Sequence, residues 1–375
     1  MKEGWAKVQL VEVLKFKSGK HLSAKFMNSK GIIPVVGGNG IAGYHNKANL
    51  TGENVIIGRV GANCGNVHYF KEELWLTDNA FKVIDESSLF DFKFLSFLLM
   101  SKRLNQFARS SAQPVISNSA LKGVTISFPT DKSEQAQIVA LLDKAFAEID
   151  RAKTHLEQNI RNAEELFQSR LNELFHQQGP DWEEKKLGEV CKIESKLVNP
   201  TDADQLNKLH VGGGNIQSGT GRIIGLKTAK EEGLTSAKYS FSSENVVLYN
   251  KIRPYLKKVA LPDFNGLCSA DMYPLTVNPF YIDREYLYFL LISESFTRYA
   301  EAGSDRAGIP KVNRKHLFAY NFLLPNLKQQ KKAVEILNVT LHQTNNIISN
   351  YQTQNQSLEE LKQSLLERAF AGELS

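Results

Sequence analysis

At 375 residues the chain is long for one hydrophobic core and suits two domains with connecting elements. Its start, Met1-Lys2-Glu3-Gly4-Trp5, has no signal-peptide pattern, and no apolar run approaches a membrane span, so a cytoplasmic chain without membrane contact is expected. The formal net charge of +6 divides as +7 over residues 1–130, −3 over 131–178, +2 over 179–327 and 0 over 328–375, so positive charge collects in the two longer blocks, as a polyanionic partner would require. Cys64, Cys191 and Cys268 are odd in number and far apart, which predicts reduced thiols and no zinc site.

In the first block, strand-like runs at 31–36, 54–57 and 81–84 surround a glycine-dense turn at 37–40. Behind the second run, "ENVIIGRVGANCGNVHYF" places Gly58, Gly61 and Gly65 in the position of a phosphate-binding nucleotide loop. No Lys-Ser/Thr ends the loop and no helix opens from it, and the chain returns at once to a strand at 66–70. The glycines therefore read as hairpin residues that supply positive φ or close approach. A helix at 92–107 follows, and Pro129 marks the switch from strand to a long helix at 134–175. Along that helix an apolar stripe runs through Ile138, Leu141, Ala145, Ile149, Ala152, Leu156, Ile160, Ala163, Phe167, Leu171 and Leu174.

The second block shows a glycine-rich turn at 212–215, a strand at 244–249, a helix at 284–299, Pro325, and a second long helix at 329–370. Its stripe is Val334, Leu337, Leu341, Ile348, Tyr351, Leu358, Leu365 and Ala369, with Thr344, Asn355 and Lys362 at weaker positions. A helix extending roughly 60 Å with one apolar stripe needs a partner, and the sister helix is the economical choice.

The chain is written twice. "WAKVQLVEVLKFKSG" from Trp5 matches "WEEKKLGEVCKIESK" from Trp182, and Glu53-Asn54 matches Glu244-Asn245. "DFKFLSFLL" from Asp91 matches "DREYLYFLL" from Asp283. The runs ending at Pro129 and Pro325 correspond, as do "AEELFQSRLNELF" and "LEELKQSLLERAF". Five landmarks in one order describe a tandem duplication, with insertions early in the second copy.

No catalytic constellation is present: there is no Asn/Asp-Pro-Pro-aromatic string, no Walker lysine and no metal spacing among the histidines. His21, His45, His68 and His210 are expected at turns or at the surface. No enzyme activity, cofactor or metal is predicted.

The duplicated order, the junctions "ISFPTDKSEQAQIVALLDKAF" and "NFLLPNLKQQKKAVEIL", and the ending "LEELKQSLLERAFAGEL" resemble the specificity subunits of type I restriction–modification systems over essentially the whole chain. "WLTDNAFKV" from Trp75 and "GLCSADMYPL" from Gly266 lie where that family has a shared strand. The resemblance implies an α+β protein with target-recognition domains at 1–130 and 179–327. Spacer helices at 131–178 and 328–375 would form an antiparallel intramolecular coiled coil with pseudo-two-fold symmetry, the domains lying at its opposite ends. It implies a non-catalytic DNA-reading subunit for an asymmetric bipartite target, with double-stranded DNA, two methyltransferase subunits and restriction/translocase subunits as partners. The other reading, a coiled-coil interaction scaffold that does not bind DNA, accounts for the helices but not for the basic, loop-rich blocks. Arg and Asn suit base edges and Lys suits phosphate. The expected DNA contacts are Asn39, Tyr44, Lys47, Arg59 and Asn63 in the first domain. In the second they are Asn215, Lys227, Lys251, Arg253, Lys257, Arg306, Lys311 and Arg314.

Overall fold

The computed structural model describes residues 2–28, 30–109, 113–177, 179–193, 196–304 and 309–374. The chain divides into two compact units, Met1–Glu157 with Gln352–Ser375, and Gln158–Tyr351. In chain order the first block contains β1 (Trp5–Gln9), α1 (Leu10–Val13), β2 (Lys15–Ser18), β3 (Ile33–Gly37), β4 (Gly40–His45), β5 (Asn54–Gly58), β6 (Val67–Phe70), β7 (Trp75–Leu76), β8 (Ala80–Ile84), α2 (Phe92–Ser101) and β9 (Thr125–Pro129), and α3 (Lys132–His176) follows. The second contains β10 (Glu183–Lys186), α4 (Leu187–Val190), β11 (Cys191–Lys192), β12 (Leu197–Val198), β13 (Leu209–Val211), β14 (Lys227–Thr228), β15 (Lys238–Phe241), β16 (Val246–Asn250), β17 (Val259–Ala260), β18 (Gly266–Cys268), β19 (Met272–Val277), α5 (Arg284–Ile292), α6 (Glu294–Ala302), α7 (Arg314–Phe318) and β20 (Asn321–Leu324), and α8 (Leu327–Phe370) follows.

The two sets of strands share one topology. The ribbon β1-β9 corresponds to β10-β20, and the sheet β2-β8-β5-β6 to β11-β19-β16-β17. The small sheet β4-β3-β7, with its parallel β3/β7 pair, corresponds to β14-β13-β18, with its parallel β13/β18 pair. The second copy extends that sheet with β15 and β12, which is where its additional sequence goes.

Strand alternation explains why β5 and β16 read as unbroken apolar runs. Successive side chains face opposite ways, and here both faces are dry. Val55 and Ile57 enter the core shared with the helices, while Ile56 joins Val36, Leu74 and Leu76 beneath the small sheet. In the second copy Val247 and Tyr249 face the helices, and Val246 and Leu248 join Val211, Cys268 and Met272.

Each long helix contributes to both units. In the first, Ile138, Leu142, Phe146 and Ile149 share a core with Leu366, Ala369 and Phe370. Lys153 pairs with Glu359, and Asp150 pairs with Lys362 at 3.5 Å, an order that makes the pairing antiparallel. In the second, Phe167 and Leu171 are buried with Val334 and Leu337. The expected stripe shifts near the first block: Leu142 and Phe146 are buried while Leu141 is 44% exposed. A single-seam reading misses this, because that part of α3 is covered by α8 on one side and by its own domain on another.

Other expectations change in detail. The helices expected at 92–107 and 284–299 are each interrupted. Arg103, at φ +44, ends the first, and Ser293 caps α6 by accepting the Phe296 N–H. Strand pairing sets Ile57 opposite Phe81 and Tyr249 opposite Tyr273, so Asn54 corresponds to Val246 and the Glu-Asn match is one residue out of register. Of the histidines, His21 is exposed, but His210 is a buried residue of β13 whose Nδ1 lies 2.9 Å from Glu232, a partner that makes its burial tolerable. His68 is half-buried in β6, with Nε2 buried and without a partner. Among the described residues, no helix is long and apolar enough to cross a membrane.

A buried glutamine joins each long helix to the α+β block that precedes it. Gln135 Oε1 accepts the Asp91 N–H at 2.9 Å while its Nε2 donates to the carbonyls of Leu89 and Pro129, both at 3.0 Å. Gln330 repeats this with the Asp283 N–H and the carbonyls of Tyr281 and Pro325, all at 2.8 Å. Both are fully buried. Gln135→Ala or Gln330→Ala orphans these groups and is expected to cost about 2–4 kcal/mol, one or two unsatisfied buried groups, read as a lower urea midpoint for the unit affected.

Burial holds the His210 pKa below its ordinary value, outweighing the upward pull of Glu232. Between that lowered pKa and about 6.5 the unfolded chain binds more protons than the folded one, so stability falls as pH drops below about 6.5. Urea midpoints between pH 7.5 and 5 are expected to decline, and His210→Gln is expected to flatten the decline.

Candidate nucleic-acid interface

The loops that follow β5 and β16 hang from the same backbone frame. The Arg59 N–H donates to the Asn79 carbonyl at 2.9 Å, and the Lys251 N–H to that of Asp271 at 3.1 Å. The carbonyls of Arg59 and Lys251 accept from Ile116 and Val312, each at 2.9 Å. Gly61 donates to Pro114 at 3.0 Å and Arg253 to Pro310 at 2.9 Å. Each pair in the β5 and β16 loops is separated by 192 positions, and residues 60 and 252 form matching isolated bridges to 115 and 311.

This frame explains the glycines. Gly61 and Gly65 have φ of +98 and +91, and their counterparts Arg253 and Lys257 have +52 and +47. The second copy places cations where the first has glycine, accepting a left-handed backbone that disfavours a side chain. Gly65 has a further reason: a Cβ there would lie 2.3 Å from the Asn105 nitrogen. Gly58 packs against the carbonyl of Gly38, so the turn at 37–40 lies directly on the loop. The close approaches are internal to the domain.

The expected residues divide into two groups. Asn39, Tyr44, Lys47 and Asn63 are exposed, the first and last on the two loops that Gly38 and Gly58 bring together. Tyr44 and Lys47 lie towards the other end of the β3–β4 hairpin. Arg253, Lys227, Lys311 and Arg314 are exposed in the second domain. Arg314 donates to the Tyr239 hydroxyl at 2.6 Å and stands 5.8 Å from the Tyr273 ring. Arg306 lies outside the described residues.

The remainder point inward. The Asn215 amide accepts from Gly212 at 2.9 Å and donates to Ile224 and Gly225, both at 3.1 Å, so it fastens its own loop. Lys257 reaches Gln168 at 2.9 Å and Glu294 at 3.3 Å, tying the loop to α3 and α6. Arg59 is half-buried over the Phe81 ring at 5.2 Å. Lys251 is 8% exposed, with its ammonium on the Ala270 carbonyl and 5.0 Å from the Tyr273 ring. Burial and then Lys311 lower the Lys251 pKa, Asp271 pulls the other way and Arg314 adds a smaller downward push, which places the three cations in one neighbourhood.

Tyr239, Tyr273 and Phe81 were not among the expected residues, although their rings lie under the cations Arg59, Lys251 and Arg314, with Phe81 and Tyr273 themselves buried. The signal that finds Phe81 and Tyr273 is their spacing of 192, the same as that of Arg59 and Lys251.

The chemistry available is donation to anions and base edges. Among the described residues no cluster of His, Cys, Asp and Glu is placed to hold a metal. Burial raises the Cys191 and Cys268 thiols to about 12, so they stay protonated.

The sequence pattern of the type I restriction modification DNA specificity domain matches residues 2–162 and again 180–360. The specificity subunit of the Escherichia coli type I restriction enzyme EcoDI is 27% identical over 408 residues, covering 99% of this chain and 89% of that protein. The corresponding subunit of the Escherichia coli enzyme EcoprrI is 32% identical over 167 residues, 42% of this chain and 41% of its own. A chain solved in work on complex assembly and conformational transition of the type I R-M system covers 99% of both chains at TM-score 0.72 and 18% identity. The HsdS subunit from Thermoanaerobacter tengcongensis covers 99% of this chain and 97% of its own at TM-score 0.51 and 17% identity. These two solved chains are alike in fold.

Fasteners and exposed cations separate experimentally. Asn215→Ala is expected to speed amide exchange at Gly212 and to lower stability by about 1–3 kcal/mol. Arg253→Gly relieves left-handed strain and is expected to raise the unfolding midpoint or leave it unchanged.

Proposed function

The chain belongs to the type I restriction–modification DNA specificity family, and from that premise we propose that residues 1–130 and 179–327 each read one half of a split, asymmetric DNA target. The observation that carries this reading is one backbone frame bearing two different surfaces. Arg59-Val60-Gly61-Ala62-Asn63 stands where the second copy has Lys251-Ile252-Arg253-Pro254-Tyr255. A shared frame gives the two domains one way of meeting a duplex, and different side chains give them different half-sites. Lys47, Lys227, Lys311 and Arg314 serve phosphate, whereas Asn39, Asn63 and Arg253 have the donor geometry for base edges. The basic loops favour a DNA reader over an inert scaffold.

The chain supplies recognition and no chemistry of its own, leaving methyl transfer and cleavage to partner subunits. We assign their docking to the long helices. Leu166 is 66% exposed and Leu361, 195 positions later, is 47% exposed, so each unit presents an apolar residue at the same place in its repeat. Two such places suit two methyltransferase subunits. Restriction/translocase subunits would join the assembled complex.

The test is methylome sequencing after residues 1–130 are exchanged for another recognition domain, with α3 kept. One half-site is expected to change while the other half-site and the spacer persist. Change in both halves, or a contiguous palindromic target, overturns the reading. Lys311→Ala is expected to weaken binding to cognate and random duplex alike and to reduce the salt slope by about 0.9, the value of one phosphate contact.

A further inference from the structure

Arg59 and Lys251 occupy the same point of the duplicated fold, and their side chains repeat the same contacts. Arg59 Nη1 lies 3.5 Å from the Asp78 carbonyl and 3.4 Å from Ser18 Oγ. Lys251 Nζ donates to the carbonyl of Ala270, the counterpart of Asp78. Each cation stands over the aromatic at the second position of the central strand behind it, Phe81 of β8 at 5.2 Å and Tyr273 of β19 at 5.0 Å. Each backbone is held on both sides, by the 79 or 271 carbonyl and by the 116 or 312 N–H. A side chain aimed into its own domain, with the rest of the loop leaving from its carbonyl, is badly placed to touch a base and well placed to set where the loop begins.

We propose that Arg59 and Lys251 are one positioning residue used twice, a cation clamped between a turn carbonyl and an aromatic face that fixes the reading loop against its sheet in each recognition domain. This rests on the DNA-reading function proposed above. The clamp needs a positive, donating head and a long stem, and both residue types supply these although they differ in shape. It carries no sequence information itself. Residues beyond it, Asn63 in one copy and Arg253 in the other, carry the difference between the half-sites.

The experiment uses the whole chain in complex with its methyltransferase, comparing Arg59→Lys, Arg59→Met, Lys251→Arg and Lys251→Met. Binding to cognate and random duplexes is measured across a salt series, and the modified sequence is read from methylated DNA. The Met variants are expected to lower the ratio of cognate to random affinity by about tenfold, the scale of one misread base pair. Their salt slope is expected to stay constant. The exchanges Arg59→Lys and Lys251→Arg are expected to keep both the ratio and the target sequence. A simple folding defect would reduce cognate and random binding together and leave their ratio unmoved, and that outcome overturns the proposal. So does a salt slope reduced by about 0.9, which marks a direct phosphate contact. A changed base in one half-site under either conservative exchange also overturns it, because it marks a direct reader. If a Met variant does not fold, the conservative pair decides between these outcomes. Absence of specific binding by the unaltered complex would instead refute the DNA-reading function itself.

Discussion

Neither long helix can cover its own apolar stripe, and that constraint organises both units. Helices of 45 and 44 residues carry a seam that water penalises along their length. Antiparallel pairing covers it by bringing the end of α8 to the start of α3 in one unit, and the end of α3 to the start of α8 in the other. Each recognition block is therefore closed by a helix end from the other copy. Phe370 lies 5.3 Å from Phe94 at an edge-on angle, and Phe175 lies 5.0 Å from Tyr286. The duplication interlocks: residues 352–375 belong to the unit that begins the chain.

The second constraint is the strand dry on both faces. β5 and β16 have an apolar core on either side, so their backbone has no freedom to shift without breaking two sets of contacts. A loop leaving such a strand starts from a fixed point. That is why recurrent hydrogen bonds at 59 and 251, and at 61 and 253, survive although the side chains between them have diverged. Stability resides in the frame, and the loop surface is left to chemistry.

Legibility in the sequence follows the same division. The long helices, the strand-to-helix junctions at Pro129 and Pro325 and the duplicated order were readable because periodicity and punctuation are local properties of the chain. The inward roles of Asn215, Lys251 and Lys257 were not, because a polar residue in a loop reads the same whether it faces water or its own backbone. The glycine loop falls between the two. Its match to the loop at 250–258 is legible because each follows an apolar strand, but residue types as unlike as Gly61 and Arg253, or Gly65 and Lys257, do not fix the register or reveal the left-handed backbone they share. The strand pairing, Ile57 with Phe81 and Tyr249 with Tyr273, fixes it.

Using cations rather than glycine at those two positions has different consequences for each. Lys257 recovers part of the conformational cost through Gln168 and Glu294, and so anchors its loop. The Arg253 side chain is exposed, and its backbone N–H supplies the anchoring bond to Pro310 whatever the side chain is. Strain retained at an exposed cation, where glycine would serve the backbone equally well, supports the base-reading role proposed for Arg253. In the first copy the corresponding reach is absent at Gly61, and Asn63 and Asn39 take the exposed positions on adjoining loops. The two domains thus present different donors from one frame. Because each set of donors is rooted in its own sheet, a substitution in one loop shares few neighbours with the other, and their effects on recognition should combine nearly independently.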